Sequence, residues 1–267
     1  MVSSLDPKEL ESWISSGRER DFMVIDIRDE TSYAREHIPG AVNIPVMDVA
    51  SHPFVVEKRR NLVFYCRNGK RSKAALIFAE DAGVPGETLF NLEGGIAAYN
   101  GEILMDLPRV ELFPEGLDLV QTMERAMALE KGAFLFYKRI QGLYAGTKVE
   151  PVLMKMAGAE VAHGKSIFLC LGRLVDIPLG FDAYFEQLDG NVFEGGKNMD
   201  AVDEILGNAK SDKHLDVLDF AVEMEVAAYD LYRNMAEKNV EPSLKEMFLT
   251  LAQAEKNHIK DILKAQL

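Results

Sequence analysis

Residues 153–167 read LMKMAGAEVAHGKSI, and the spacing predicts that they form one helix that carries a Glu-x-x-His pair. Another glutamate precedes this pair by 30 residues, and the whole pattern returns 95 residues later in the chain. A pattern repeated at one offset indicates an internal duplication, in this case one helix pair used twice. The two copies are Glu130, Glu160 and His163, and Glu225, Glu255 and His258.

Both Glu-x-x-His pairs lie within apolar stripes. Leu153, Met156 and Ile167 flank the first pair at steps of three and four, which places all of them on one helix face, and the second pair has similar neighbours. An unpaired carboxylate on a core-facing stripe is unfavourable, and four such carboxylates would also repel one another. The pattern therefore predicts a site for two iron or manganese ions, because these cations accept carboxylate oxygen and imidazole nitrogen.

The alternative is that these six residues are solvated side chains of acidic helices. The chain has 43 Asp and Glu residues and a formal net charge of −13, so isolated exposed glutamates are expected in it. Repeated spacing on apolar faces favours the metal site over this alternative.

Length and composition predict more than one domain. The chain has 267 residues, of which 48% are hydrophobic, and this is enough for two cores. No apolar run reaches the ~20 residues of a membrane span, and the N-terminus lacks a charged-then-apolar signal. Two cysteines do not make a disulfide framework, so a reducing, cytoplasmic setting is expected. The acidic balance argues against nucleic acid or a membrane as a partner.

The character of the sequence changes across residues 108–116, which we interpret as a linker. In residues 1–107, short β-rich runs such as Phe22–Ile27 and Leu62–Tyr65 alternate with helical stretches, which predicts a small α/β domain. In residues 117–267, long helical periodicities predict an all-α domain.

The second β-rich run is followed by CRNGKRS, residues 66–72. A cysteine between a strand and a helix faces converging backbone N–H groups and the positive end of the helix dipole, and both stabilise a thiolate. Arg67, Lys70 and Arg71 add positive charge, which predicts a lowered pKa of the Cys66 thiol and attraction of anionic substrates. The alternative is that Cys66 is only a small buried residue at a strand end.

Residues 1–107 resemble rhodanese domains, which are sulfurtransferases that form a persulfide. The motifs that carry the resemblance are VIDIR at 24–28, HIPGAVNIP at 37–45, the Cys66 loop and LEGGI at 92–96. The related cell-cycle phosphatases and arsenate reductases have a loop longer by one residue, which accommodates a tetrahedral oxyanion. The shorter loop between Cys66 and Arg71 favours transfer of sulfur over transfer of phosphate.

The rhodanese resemblance implies that the Cys66 thiolate attacks the sulfane sulfur of thiosulfate, a polysulfide or a persulfide donor. A thiol acceptor would then remove the sulfur from the Cys66 persulfide. Basic side chains would orient the anionic donor, and the N–H groups and polar atoms of the loop would bind the substrate sulfur. The first set is Arg67, Lys70 and Arg71, and the second set is Asn68, Gly69 and Ser72.

Residues 117–267 resemble rubrerythrins and their ferritin-like relatives, which implies a four-helix bundle with helices at about 117–143, 149–175, 213–238 and 242–265. The resemblance implies two iron ions, although manganese or zinc would use the same ligands. The implied ligands are Glu130 and Glu225 from the first helix of each pair, and Glu160, His163, Glu255 and His258 from the second.

Two tyrosines, Tyr137 and Tyr232, lie seven residues after the ligand glutamates of the first helices. They are candidates to hydrogen-bond to ligand carboxylates, and core packing is the alternative. The chain departs from rubrerythrins in that Ala228 stands where they carry an additional glutamate. It also has no Cys-x-x-Cys pair for a rubredoxin module, so an external electron donor is expected.

The leading hypothesis is a sulfurtransferase fused to a di-iron oxidoreductase that reduces peroxide or oxygen. The alternative treats the bundle as a non-catalytic iron-binding sensor or oligomerisation module, and iron storage is a third, less favoured function. A homodimer is expected because the predicted helix faces carry more apolar surface than one core requires.

Overall fold

The computed structural model describes residues 2–49, 60–84, 87–198, 200, 202, 213–239 and 241–265. An α/β region with a parallel sheet precedes a region that is helical among the described residues. The predicted fold class, an α/β domain followed by an all-α bundle domain, is confirmed.

The sheet of the α/β region has five parallel strands in the order β1-β5-β4-β2-β3. Three helices of this region are described, and the two that precede β3 begin at aspartate side chains, Asp6 and Asp29, that accept a backbone N–H. The strands are Val2–Leu5, Phe22–Asp26, Val42–Asn43, Asn61–Tyr65 and Leu89–Leu92, and the helices are α1 (Pro7–Ser15), α2 (Glu30–Arg35) and α3 (Lys70–Asp81).

The two faces of the sheet are both buried, as expected for parallel strands. Along β2, Phe22 and Val24 contribute to one hydrophobic cluster, and Met23 and Ile25 contribute to another. Successive side chains of a strand point to opposite faces, so one apolar run supplies both clusters. This burial fixes the strand ends from which the loops of the site emerge.

The helical region begins at a capping box in which Asp118 and Gln121 exchange hydrogen bonds. Pro151 lies in the first turn of α5 and Pro242 begins α8, positions at which a missing N–H is tolerated. The short α6 lies in the segment that joins the two helix pairs. The helices are α4 (Leu119–Leu143), α5 (Glu150–Leu171), α6 (Phe181–Gln187), α7 (Lys213–Lys238) and α8 (Pro242–Ala265).

None of the helices within the described ranges is long and apolar enough to span a membrane.

The contacts divide the chain into two compact units. The first unit contains Met1–Pro108 and Tyr232–Gln253, and the second contains Arg109–Leu231 and Ala254–Leu267.

Within the first unit, a buried carboxylate forms charge-assisted hydrogen bonds. Arg60 donates to both carboxylate oxygens of Glu237, one of them at 2.6 Å. Lys245 Nζ lies 3.6 Å from the same carboxylate. Burial raises the pKa of Glu237, but the attraction and hydrogen bonds of Arg60 outweigh it, so the pKa lies below its usual value.

Candidate functional site

Cys66 lies between β4 and α3, and its side chain is completely buried. The loop turns into the helix at Gly69, which is the N-cap of α3 and has a φ of +79°. Glycine adopts this left-handed conformation without the steric penalty that a side chain imposes. The turn directs the first N–H groups of α3 back toward the cysteine sulfur.

The groups around Cys66 stabilise its thiolate. The Ser72 hydroxyl donates to Cys66 Sγ over 3.4 Å, and the N–H groups of Ser72, Asn68 and Arg71 also donate to the sulfur. Burial alone raises the pKa of the Cys66 thiol, but these donors outweigh it and lower the pKa below its ordinary value. The structure thus surrounds the sulfur with backbone N–H groups of the kind expected from the sequence, and it adds the Ser72 hydroxyl as a side-chain donor.

The LEGGI motif packs against the backbone of the Cys66 loop through Gly95 and the residues that follow it. A Cβ at Gly95 would lie 2.2 Å from the carbonyl oxygen of Cys66, so the backbone approach requires glycine. Ile96 donates its N–H to that carbonyl at 2.9 Å, and Ala97 donates to the carbonyl of Arg67 at 3.0 Å. This part of the motif therefore holds the reactive loop in place.

A basic cavity of about 340 Å³ lies beside the loop. Its arginines come from the Cys66 loop, the first turn of α3, α2 and the residues after β2, because neighbouring parallel strands deliver their following residues to the same sheet edge. Lys70 is exposed and lies outside the lining of this cavity. The lining residues are Arg28, Ser32, Arg35, Glu36, Arg67 and Arg71.

Arg28 is the buried arginine of this cavity. Its guanidinium lies 2.7 Å from Asp26 in an ion pair whose side chains are both buried. The pair fixes Arg28, and Arg67 and Arg71 are exposed. Sequence reasoning assigned Arg67 and Arg71 to the site but missed the other four lining residues, which the order of the parallel strands, once known, places at this edge.

The six predicted metal ligands come together in the second unit. Their ligand atoms form two compact four-residue groups in which each atom lies within 4.8 Å of the others, and Glu160 and Glu255 belong to both of these groups. The shared pair therefore suits carboxylates that bridge two ions. The first group is Glu130, Glu160, His163 and Glu255, and the second is Glu160, Glu225, Glu255 and His258.

The distances within the cluster repeat the duplication seen in the sequence. His163 Nδ1 lies 3.0 Å from Glu130 Oε2, and His258 Nδ1 lies 3.1 Å from Glu225 Oε2. Helices α4 and α5 thus supply one Glu–His contact, and α7 and α8 supply its counterpart. This equivalence supports a paired site.

The cluster contains buried carboxylate oxygens that accept no hydrogen bond from the described residues. Oε1 of Glu160 and Oε1 of Glu255 have no hydrogen-bond partner among the described residues. Burial, and then mutual repulsion among the carboxylates, keep the pKa of Glu255 well above its usual value. Glutamate charges offset the burial of His258 and raise its pKa to about 10. Cations at this place would satisfy the orphaned oxygens, so the residues present fit a pair of metal ions.

The two predicted tyrosines lie in different units. Tyr137 is fully buried in the second unit and donates its hydroxyl hydrogen bond to Glu225 Oε1. Tyr232 is fully buried in the first unit, where its ring stacks on Phe248 with centroids 5.9 Å apart. The structure therefore places the Tyr137 hydroxyl against Glu225, one of the predicted ligands.

Comparisons with known proteins identify both parts of the chain. Residues 6–102 match the family model of the rhodanese-like domain, and residues 216–266 match the rubrerythrin model. The second match covers most of α7 and α8, the later helix pair. The two resemblances found in the sequence are therefore confirmed.

Similar proteins match the first part of the chain. A "Sulfurtransferase" of Allochromatium vinosum is 32% identical over 37% of this chain and 89% of its own length. The "Probable adenylyltransferase/sulfurtransferase MoeZ" of Mycobacterium tuberculosis is 34% identical over 39% of this chain, which spans only 26% of that protein. The solved rhodanese-like domain of an Anabaena protein is 28% identical over 43% of this chain and 86% of its own, with a TM-score of 0.34.

Proposed function

The chain belongs to the rhodanese family through residues 6–102 and carries a rubrerythrin domain at residues 216–266, and from this premise we propose that it is a sulfurtransferase in which Cys66 carries the transferred sulfur. The observation that supports this most is the buried Cys66 thiol, whose pKa is lowered by the Ser72 hydroxyl and loop N–H groups against the effect of burial. A thiolate is the nucleophilic form of cysteine.

The reaction proceeds in two displacements. The Cys66 thiolate attacks the outer sulfur of thiosulfate, an S–S bond forms at Cys66, and the original S–S bond breaks to release sulfite with its electron pair. A thiolate acceptor then attacks the outer sulfur of the Cys66 persulfide, which gives the acceptor persulfide and regenerates the Cys66 thiolate. A polysulfide or another persulfide replaces thiosulfate in the same scheme.

The surrounding groups have separate roles in this scheme. The Ser72 hydroxyl and the N–H groups of Asn68, Arg71 and Ser72 stabilise negative charge on sulfur. Arg67 and Arg71, together with the fixed Arg28, attract an anionic donor into the adjacent cavity. Gly69 provides the turn that aims the N–H groups, and Lys70 contributes only to the general positive field.

We propose that the helical part binds two iron ions through Glu130, Glu160, His163, Glu225, Glu255 and His258. Support comes from the two compact ligand groups and from the orphaned oxygens of Glu160 and Glu255. Bound iron would supply redox chemistry for the reduction of peroxide or oxygen with an external electron donor. The chain itself holds the ligands in position, and the Tyr137 hydroxyl orients the Glu225 carboxylate.

The proposal includes functional domains at residues 1–107 and 117–267, joined by residues 108–116. It also includes cytoplasmic localisation and a homodimer, which size and localisation measurements on the intact protein would test.

The sulfur-transfer proposal is tested by Cys66→Ser in the full chain. We expect loss of thiosulfate:thiol transfer and loss of the single-sulfur mass increase after incubation with thiosulfate. Cys170→Ser is the matched control, because it removes the other cysteine and leaves the loop intact. Transfer at the wild-type rate by Cys66→Ser would contradict the assignment.

The metal proposal is tested by metal analysis of protein purified without oxygen. We expect two ions per chain in the wild type and a loss of at least one in Glu160→Ala.

Repeated oxidation cycles with peroxide and a chemical reductant would support the oxidoreductase, whereas one stoichiometric oxidation would favour the sensor alternative. Less than one ion per chain in the wild type would contradict the site.

A further inference from the structure

A carboxylate outside the duplicated pattern lies beside the cluster. Glu194, between α6 and α7, is only 2% exposed. Its Oε1 atom is buried and has no hydrogen-bond partner among the residues that the structure describes. A buried, unsatisfied carboxylate oxygen is unfavourable unless a cation or a donor compensates it.

A tight turn holds Glu194 in place. The N–H of Phe193 donates to the carbonyl of Lys197 at 3.1 Å, and the N–H of Gly196 donates to the carbonyl of Phe193 at 2.8 Å. Gly196 has a φ of +70°, which closes the turn. Phe193 is fully buried and its ring centroid lies 5.4 Å from that of Phe136 on α4. The position of Glu194 is therefore set by packing.

The turn packs directly onto α4 near a ligand. A Cβ at Gly132 would lie 2.2 Å from the carbonyl oxygen of Val192, so only glycine permits this approach. Gly132 follows the ligand Glu130 by two residues. The turn that carries Glu194 thus contacts α4 within one helical turn of Glu130.

The same turn packs onto α7 near a second ligand. A Cβ at Gly195 would lie 3.8 Å from the side chains of Met224 and Ala227. These residues lie on either side of Glu225 in the sequence. Glu194 is therefore held between α4 and α7, which carry Glu130 and Glu225.

The electrostatic neighbours of Glu194 agree with this placement. Burial, and then the charges of Glu130 and Glu160, raise the pKa of Glu194 well above its usual value, with a smaller effect of Glu225. Two of these three residues belong to the ligand group that contains His163.

We propose that Glu194 is a further carboxylate ligand of the metal site, and that it serves the ion held by Glu130, Glu160 and His163. This inference rests on the metal site proposed above. Glu194 is not a member of the two compact ligand groups, so it reaches the ion by rotation of its flexible side chain. Four glutamates balance the charge of two divalent ions, and a fifth carboxylate favours a trivalent ion at this position.

The test uses the full-length, metal-free protein with Glu194→Gln, which keeps the size of the side chain and removes its charge. The matched control is Glu186→Gln, which changes an exposed glutamate on α6. Mn²⁺ binding is measured by calorimetry without oxygen, and the unfolding midpoint is measured with and without Mn²⁺. The reduction potential of the iron-loaded protein is measured in parallel.

We expect Glu194→Gln to bind one of the two ions roughly 10- to 100-fold more weakly. Its metal-free form should unfold at a higher temperature than the wild type, because the substitution removes the cost of burying a carboxyl group beside Glu130 and Glu160. The iron-loaded variant should have a higher reduction potential, because the trivalent ion loses a carboxylate. The control should match the wild type in all three measurements.

The possible failures are distinguishable. If the wild type binds two ions and Glu194→Gln binds both with wild-type affinity, the role of Glu194 is wrong and the metal site stands. If the metal-free variant is less stable and its Mn²⁺ affinities are unchanged, Glu194 has a packing role only. If the wild type binds no metal, the proposed metal site fails and this inference fails with it.

Discussion

Replacing Ser72 with alanine tests how the loop activates Cys66. The substitution removes the hydroxyl that donates to Cys66 Sγ over 3.4 Å and leaves the backbone N–H donors in place. A hydrogen bond to a charged group contributes about 1.5–3 kcal/mol, and a donor to sulfur at this length supports the lower limit. About 1.5 kcal/mol corresponds to roughly a tenfold smaller thiolate fraction at a pH below the thiol pKa.

The assay is the pH dependence of alkylation by iodoacetamide. It is carried out in a Cys170→Ser background, where Cys66 is the remaining thiol. Because the thiolate is the reactive form, the alkylation rate reports the thiolate fraction. We expect Ser72→Ala to move the titration midpoint to higher pH, to slow alkylation roughly tenfold at low pH and to leave the high-pH rate nearly unchanged.

Ser4→Ala, at an exposed position of β1, is the control for loss of a serine hydroxyl, and it should behave as the wild type. An unchanged midpoint in Ser72→Ala would refute the reasoning. It would mean that the backbone N–H groups alone set the thiol pKa.

Three other substitutions test the remaining features. Gly95→Ala should abolish transfer and lower the unfolding midpoint. Gly83→Ala, at a φ of +67° and with no atom of the described residues within 4 Å of the added Cβ, should lose only the ~1–2 kcal/mol of left-handed strain. Equal effects in a thermal melt would contradict the proposed clash with the loop. Arg71→Gln should raise the KM for thiosulfate roughly two- to fivefold, with a smaller salt dependence than the wild type, and an unchanged KM would exclude a role in donor binding. Glu237→Gln should lose about 3–5 kcal/mol at neutral pH in denaturant unfolding. Since the pKa of Glu237 is lowered in the folded protein, this stabilisation is complete above the unfolded pKa and disappears as the pH falls through the folded value, so the wild type and variant should converge in acid.

The carboxylate and histidine cluster illustrates which features are predictable from the sequence. Its six residues recur at helical spacing on apolar stripes, so the pattern carries both their secondary structure and the face on which they lie. Glu194 carries no such signal. It lies in an irregular segment, and its position depends on the contact of Val192 with Gly132, which is 60 residues away in the chain.

The Cys66 loop shows the same division. The strand, cysteine, basic loop and helix are adjacent in sequence, and this local order predicts a stabilised thiolate. The close approach of Gly95 to the Cys66 carbonyl and the contribution of Arg35 to the cavity depend on strand order. Strand order requires non-local pairing, and one sequence without an alignment does not determine it.

The two sites stabilise negative charge by different physical means. At Cys66, a single thiolate is stabilised by neutral donors, the Ser72 hydroxyl and loop N–H groups, so the reactive state is built into the folded loop. The carboxylate cluster instead gathers glutamates that repel one another, and the Oε1 atoms of Glu160 and Glu255 accept no hydrogen bond from any part of the chain that the structure describes. Such a cluster stores unfavourable free energy that cations relieve. The thiolate loop is therefore complete in the polypeptide alone, whereas the carboxylate cluster would reach its stable form only with bound cations.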